Sequence, residues 1–100
     1  MRLQVQSIHF DADQKLLDYI RERIEKLSTF YKRLVRGEVY LRLNNEGVEN
    51  KTVEIELTVP GRKLFAKEQA RSFEMAADMA TAALRTQLRK FKARLKGGRA

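Results

Sequence analysis

One hundred residues, 43% of them hydrophobic, match the size of one domain with one modest core. The absence of cysteine excludes a disulfide framework and a thiolate metal site, and no stretch approaches the roughly 18 apolar residues of a membrane span. The net charge of +8 is unevenly placed: residues 1–61 hold ten basic and ten acidic side chains, residues 62–100 eleven basic and three acidic. An excess gathered in the final third points to a polyanionic partner, nucleic acid first and an anionic membrane surface second. The N-terminus, MRLQVQSIHFDADQ, lacks the apolar run of a secretory signal, so a soluble cytoplasmic protein is expected.

The first element is a short strand, RLQVQ, in which Leu3 and Val5 alternate with polar neighbours. A helix follows. Asp11 or Asp13 supplies its N-cap, with Asp11 and Gln14 at capping-box spacing. Leu17, Ile20, Ile24, Leu27 and Tyr31 draw one apolar stripe along it. Gly37 is expected to end the segment after this helix. EVYLRLN and TVEIELTV then alternate as strands, joined by the polar loop NNEGVENK. Pro60-Gly61 is turn chemistry, and KLFAKEQA is the last strand of the meander. From about Phe73 the period is helical again. Phe73, Ala77, Ala80, Leu84, Leu88, Phe91 and Leu95 form the apolar stripe of this second helix. The expectation is an α+β fold in the order β-α-β-β-β-α: a four-stranded, mostly antiparallel sheet with both helices on one face. Residues 1–96 form the single domain and residues 97–100, with two glycines, a short flexible tail.

The end of the chain, LRTQLRKFKARLKGGRA, carries seven basic residues and no acid. At 100° per residue, Arg85, Arg89, Lys92 and Lys96 line one side of the buried stripe, and Lys90 and Arg94 lie on the other. An ordinary solvated helix mixes charge signs, because Glu–Lys pairs support it. This one has no acid after Asp78, so phosphates are the natural complement.

Signals for chemistry are weak. His9 is the only histidine and reads as structural on a strand. Glu54 and Glu56 share a strand face, as carboxylates on solvated sheets commonly do. No metal-ligand spacing, Gly-rich phosphate loop or nucleophile motif is present, so neither a cofactor nor catalysis is expected. Tyr31, Tyr40 and Phe65 are structural aromatics, with Tyr40 at the surface.

Over essentially its whole length the chain resembles the ribosome hibernation-promoting factors, also called ribosome-associated inhibitors and sigma-54 modulation proteins. The resemblance is carried by SFEMAADMATAALRTQLRKFKARLK, where Asp78, Leu84, Gln87, Leu88 and Lys90 match the family pattern, by RIEKL with Arg23 and Lys26, and by VYLRL. Ala83 and Thr86 depart from it, standing where the family usually has basic residues. The resemblance implies a fold related in shape to double-stranded-RNA-binding domains. It implies a partner, the small ribosomal subunit and its rRNA near the decoding centre, where binding blocks mRNA and tRNA sites and silences translation in starvation or stationary phase. Arg23, Lys26, Arg85, Arg89, Lys90, Lys92, Arg94 and Lys96 would then form one continuous rRNA-binding surface. The length resembles the short form of the family, for which either a second factor would pair ribosomes or single ribosomes alone would be silenced. The alternatives are a general double-stranded-RNA-binding module and a protein-interaction modulator.

Overall fold

The computed structural model describes residues 1–44 and 47–97. Strand β1 (Arg2–Ile8) is followed by helix α1 (Gln14–Phe30), strands β2 (Arg36–Leu43), β3 (Lys51–Val59) and β4 (Arg62–Ala70), and helix α2 (Phe73–Gly97). The four strands lie in chain order in one sheet. β1 runs parallel to β2, while β2–β3 and β3–β4 are antiparallel hairpins. The order and fold class are those the alternation predicts. The parallel pair arises because α1 crosses over between β1 and β2, returning the chain to the same end of the sheet.

Alternation explains the sheet. Val39 pairs with Ile55, and Leu57 with Leu64, all on the face beneath the helices, where they are almost fully buried. The opposite face of the central strands carries Glu38, Tyr40, Glu54 and Glu56 and remains open to solvent. Gly37 does not end the preceding segment but lies buried within β2. A side-chain carbon there would come within 3.2 Å of Leu3 and 3.3 Å of Leu57. Gly61 has φ +88° and closes the β3–β4 turn, a conformation available to glycine at little cost. Of the β2–β3 loop, Asn45 and Glu46 lie outside the described residues.

Asp13, not Asp11, caps α1: its Oδ1 accepts a 2.8 Å hydrogen bond from the Leu16 N–H. Gln14, the first helical residue, reaches forward to Asp18 (2.8 Å) rather than back to Asp11. Asp13→Ala is expected to cost about 1 kcal/mol. In a domain of this size that lowers the melting temperature by about 4–8 °C, read by circular dichroism. The buried stripe of α1 begins with Leu16, Leu17 being only partly covered, and continues through Ile20, Ile24 and Leu27. Tyr31 is also buried, its ring edge-on to Phe91 at 5.8 Å.

α2 is capped by Ser72, whose Oγ accepts from the Met75 N–H at 3.1 Å. Its first half is narrow. Ala76, Ala77 and Ala80 are fully buried, which lets the backbone lie close to β3 and β4. Leu84, Leu88 and Phe91 continue the stripe, but Leu95 is 45% exposed, contrary to the periodicity. The reason is length. Twenty-five helical residues span about 37 Å, whereas the nine-residue strands beneath span about 30 Å, so the last turn overhangs the sheet. The expected tail at 97–100 is helical at Gly97, and residues 98–100 lie outside the described residues. Among the described residues, no helix is long and apolar enough to cross a membrane.

Candidate nucleic-acid interface

Beside its buried stripe, α1 carries a second line, Tyr19, Arg23, Lys26 and Phe30, at steps of four, three and four. That spacing keeps the four on one flank, and the packing turns this flank toward α2. On α2, Asp78, Ala82 and Arg85 lie opposite. The two lines enclose a groove of about 290 Å³ lined by Arg23, Lys26, Leu27, Asp78, Thr81, Ala82 and Arg85. Its small floor residue, Thr81, satisfies its hydroxyl internally by donating to the Ala77 carbonyl at 2.9 Å.

The groove cations are not equivalent. The Arg23 Nε donates to Asp78 Oδ1 at 2.8 Å, and the Tyr19 hydroxyl reaches the same carboxylate at 2.8 and 3.0 Å. The hydrogen bond to Asp78 first, and then the neighbouring Tyr19, raise the Arg23 pKa above the ordinary guanidinium value. Arg23 is therefore held in place, with its charge largely answered. Lys26 and Arg85 have no carboxylate partner among the described residues. Arg85 instead lies over the Phe30 ring at 4.7 Å. Lys92 approaches the same ring at 4.6 Å and donates to the Phe30 carbonyl at 3.2 Å. One aromatic side chain thus steadies two cations whose positive charge stays available. Lys96 follows Lys92 along this side, beside Arg33 and Tyr31.

The remaining expected residues divide. Arg89 is exposed on the α1 side of the helix crest by its phase, while Lys90 and Arg94 line the opposite flank of α2 together with Arg62 of β4. The six basic residues of α2 therefore lie on its two shoulders, with Arg23 and Lys26 of α1 facing one of them, not in one sheet of charge. The buried stripe of Leu84, Leu88 and Phe91 separates them below. Ala82, Thr86 and Ala93 occupy the crest above.

Acids are arranged differently. Three of the four ion pairs among the described residues lie on the sheet: Arg36–Glu38, Arg42–Glu54 and Lys63–Glu56. Tyr40 belongs to this face. Its hydroxyl donates to Glu38 at 2.8 Å, and that bond pushes the phenol above its usual value. His9 is exposed just beyond β1, in the left-handed region at φ +64°, rather than within the strand. The described residues hold no cluster of side chains suited to a metal.

Phe30, Asp78 as a partner for Arg23, and Arg62 are the contributors that sequence reasoning missed. The line of Tyr19, Arg23, Lys26 and Phe30 at helical spacing was the available signal for Phe30. For Arg62 it was the alternation along β4, which places it on the same face as Leu64 and Ala66, beneath α2.

Locally paired acids on an open sheet face, and unpaired cations on a helical layer, define a class: a small α+β domain whose helices are suited to a polyanion. The particular family is known. The chain belongs to the Sigma 54 modulation protein / S30EA ribosomal protein family, whose model matches residues 3–96. It is 30% identical over 95 residues to a Deinococcus radiodurans protein described as a ribosome hibernation promotion factor. That match covers 91% of this chain and 49% of the relative, so the chain spans about half the relative's length. A ribosomal subunit interface protein from Coxiella burnetii superposes with a TM-score of 0.84 at 19% identity, covering 93% of this chain and 99% of that one. The N-terminal domain of Thermus thermophilus Protein Y gives 0.79 at 21% identity, covering 91% and 99%. At such identities these two structures speak for the fold alone.

Proposed function

We propose that this chain is a ribosome hibernation factor. It binds the small ribosomal subunit through rRNA near the decoding centre, occupies space needed by mRNA and tRNA, and silences translation in starved or non-dividing cells. The observation that carries this reading is the C-terminal half of α2, which bears unanswered cations on both shoulders and no acid after Asp78. Family membership supplies the partner class, and the description of the Deinococcus radiodurans relative as a ribosome hibernation promotion factor supports the ribosome as the polyanion. In this reading Lys26, Arg85, Arg89, Lys90, Lys92, Arg94 and Lys96 meet phosphates. Arg23, already engaged by Asp78, mainly shapes the groove between the helices.

Co-sedimentation with ribosomes and with separated subunits, at low and moderate salt and with and without bound tRNA, tests it. Saturable binding to the small subunit that tRNA prevents is the expected result. Pelleting that ignores tRNA and vanishes with modest salt would instead mean a general polyanion binder. Salt-insensitive binding to a protein would favour an interaction modulator.

A further inference from the structure

We propose that Arg62, Lys90 and Arg94 form a second phosphate-binding face, so that α2 lies between two separate stretches of RNA backbone. This rests on the rRNA-binding reading and deepens it.

The face is assembled by the tertiary structure. Arg62, the first residue of β4, shares the strand face of Leu64 and Ala66 beneath the helices and comes beside the last turns of α2. Its guanidinium carbon lies 5.9 Å from the centre of the Phe91 ring, across which it spreads. Lys90 and Arg94, four residues apart on α2, project from the same flank. With Leu64, Gln87 and Phe91 they line a concavity of about 140 Å³. The Gln87 amide donates to the Phe65 carbonyl at 2.9 Å, which ties this flank of the helix to β4 and holds the concavity's two walls together.

No acid lines it, and none of the four ion pairs among the described residues involves Arg62, Lys90 or Arg94. The next residue of β4, Lys63, by contrast finds a carboxylate at Glu56. Three like charges gathered from two elements without a counter-charge are best satisfied by an external anion. Two arginines and a lysine suit the oxygens of a phosphate.

The other cationic flank, with Lys26, Arg85 and Lys92, faces α1. A helix with its side chains is about 10–12 Å across, and this crest is made of Ala82, Thr86 and Ala93. Phosphates meeting the two flanks therefore belong to backbone stretches on either side of α2, as two converging segments of a folded RNA would present.

The test is small-subunit binding across a salt series for four proteins: wild type, Arg62→Gln with Arg94→Gln, Lys26→Gln with Arg85→Gln, and the quadruple variant. All four positions are exposed, and a thermal melt of each variant checks the fold. Each lost phosphate contact removes roughly 0.7–0.9 from the slope of log affinity against log salt. The expected result is that each pair lowers the slope by about 1.5, that the quadruple variant shows the sum, and that Arg62→Lys with Arg94→Lys restores the wild-type slope. Wild-type affinity and slope in Arg62→Gln with Arg94→Gln, alongside a loss in the other pair, would overturn the second face and leave the rRNA reading standing. Weakened binding with an unchanged slope would assign the flank to a ribosomal protein and overturn it too. Salt-insensitive binding by the wild-type protein would remove both.

Discussion

Lys26→Glu combined with Arg85→Glu is expected to weaken ribosome binding by about a hundredfold near 0.1 M salt, at which each lost phosphate contact is worth somewhat under tenfold. Reversal of sign adds repulsion to the two lost contacts. Both residues line the groove between α1 and α2, and neither has a carboxylate partner among the described residues. The variant loses no buried contact beyond the approach of Arg85 to Phe30, worth about 0.5–1 kcal/mol at an exposed site. Its melting temperature is therefore expected to fall by only a few degrees. Arg21→Glu is the control. Arg21 is exposed and lies about 140° round α1 from Lys26 by helical phase, away from the groove. It changes the net charge in the same direction and should leave binding within a few-fold of wild type. A loss for Arg21→Glu half as large, in logarithm, as that of the pair would match its half-sized change in charge, and would show that only total charge matters and that the groove is not an interface.

The second large effect concerns stability. Leu84 is fully buried in the middle of α2, in the same core as Ile24, Val53 and Ile55. Leu84→Ala is expected to cost about 2–5 kcal/mol, part from lost burial and part from the cavity left behind. Against a typical total of about 5–15 kcal/mol this is a large fraction. The expected outcome is a melting temperature lower by about 10 °C or more, with a matching fall in the urea midpoint at constant m. Leu95→Ala is the counterpart. Leu95 continues the same stripe but lies in the overhanging turn, so its truncation should cost well under 1 kcal/mol. Similar losses for the two would mean that the last turn of α2 packs onto something other than the sheet.

These two leucines mark the boundary between local pattern and tertiary context. Periodicity is a local property, and it placed both on one stripe. Whether a stripe is buried depends on what lies beneath it, and the sheet ends before the helix does. The same distinction applies to charge. The absence of acids after Asp78 is visible in the chain itself, and it holds as a feature of α2. Which cations are free is not visible, because the carboxylate that answers Arg23 stands 55 residues away on the other helix.

The sequence by itself determined the order of elements, the faces that the first three strands bury, the cap residue type before α1 and the acid-poor final helix. All of these follow from spacing and side-chain chemistry within a few residues. It also carried the family pattern along both helices. Only the tertiary structure decided that β1 pairs parallel to β2, that Gly37 sits where Leu3 and Leu57 leave no room for a side chain, and that Phe30 steadies Arg85 and Lys92. It alone set Lys26 of α1 against one flank of α2 and brought Arg62 of β4 to the other. Those features depend on the angle and reach at which distant segments pack, and no short-range pattern encodes that.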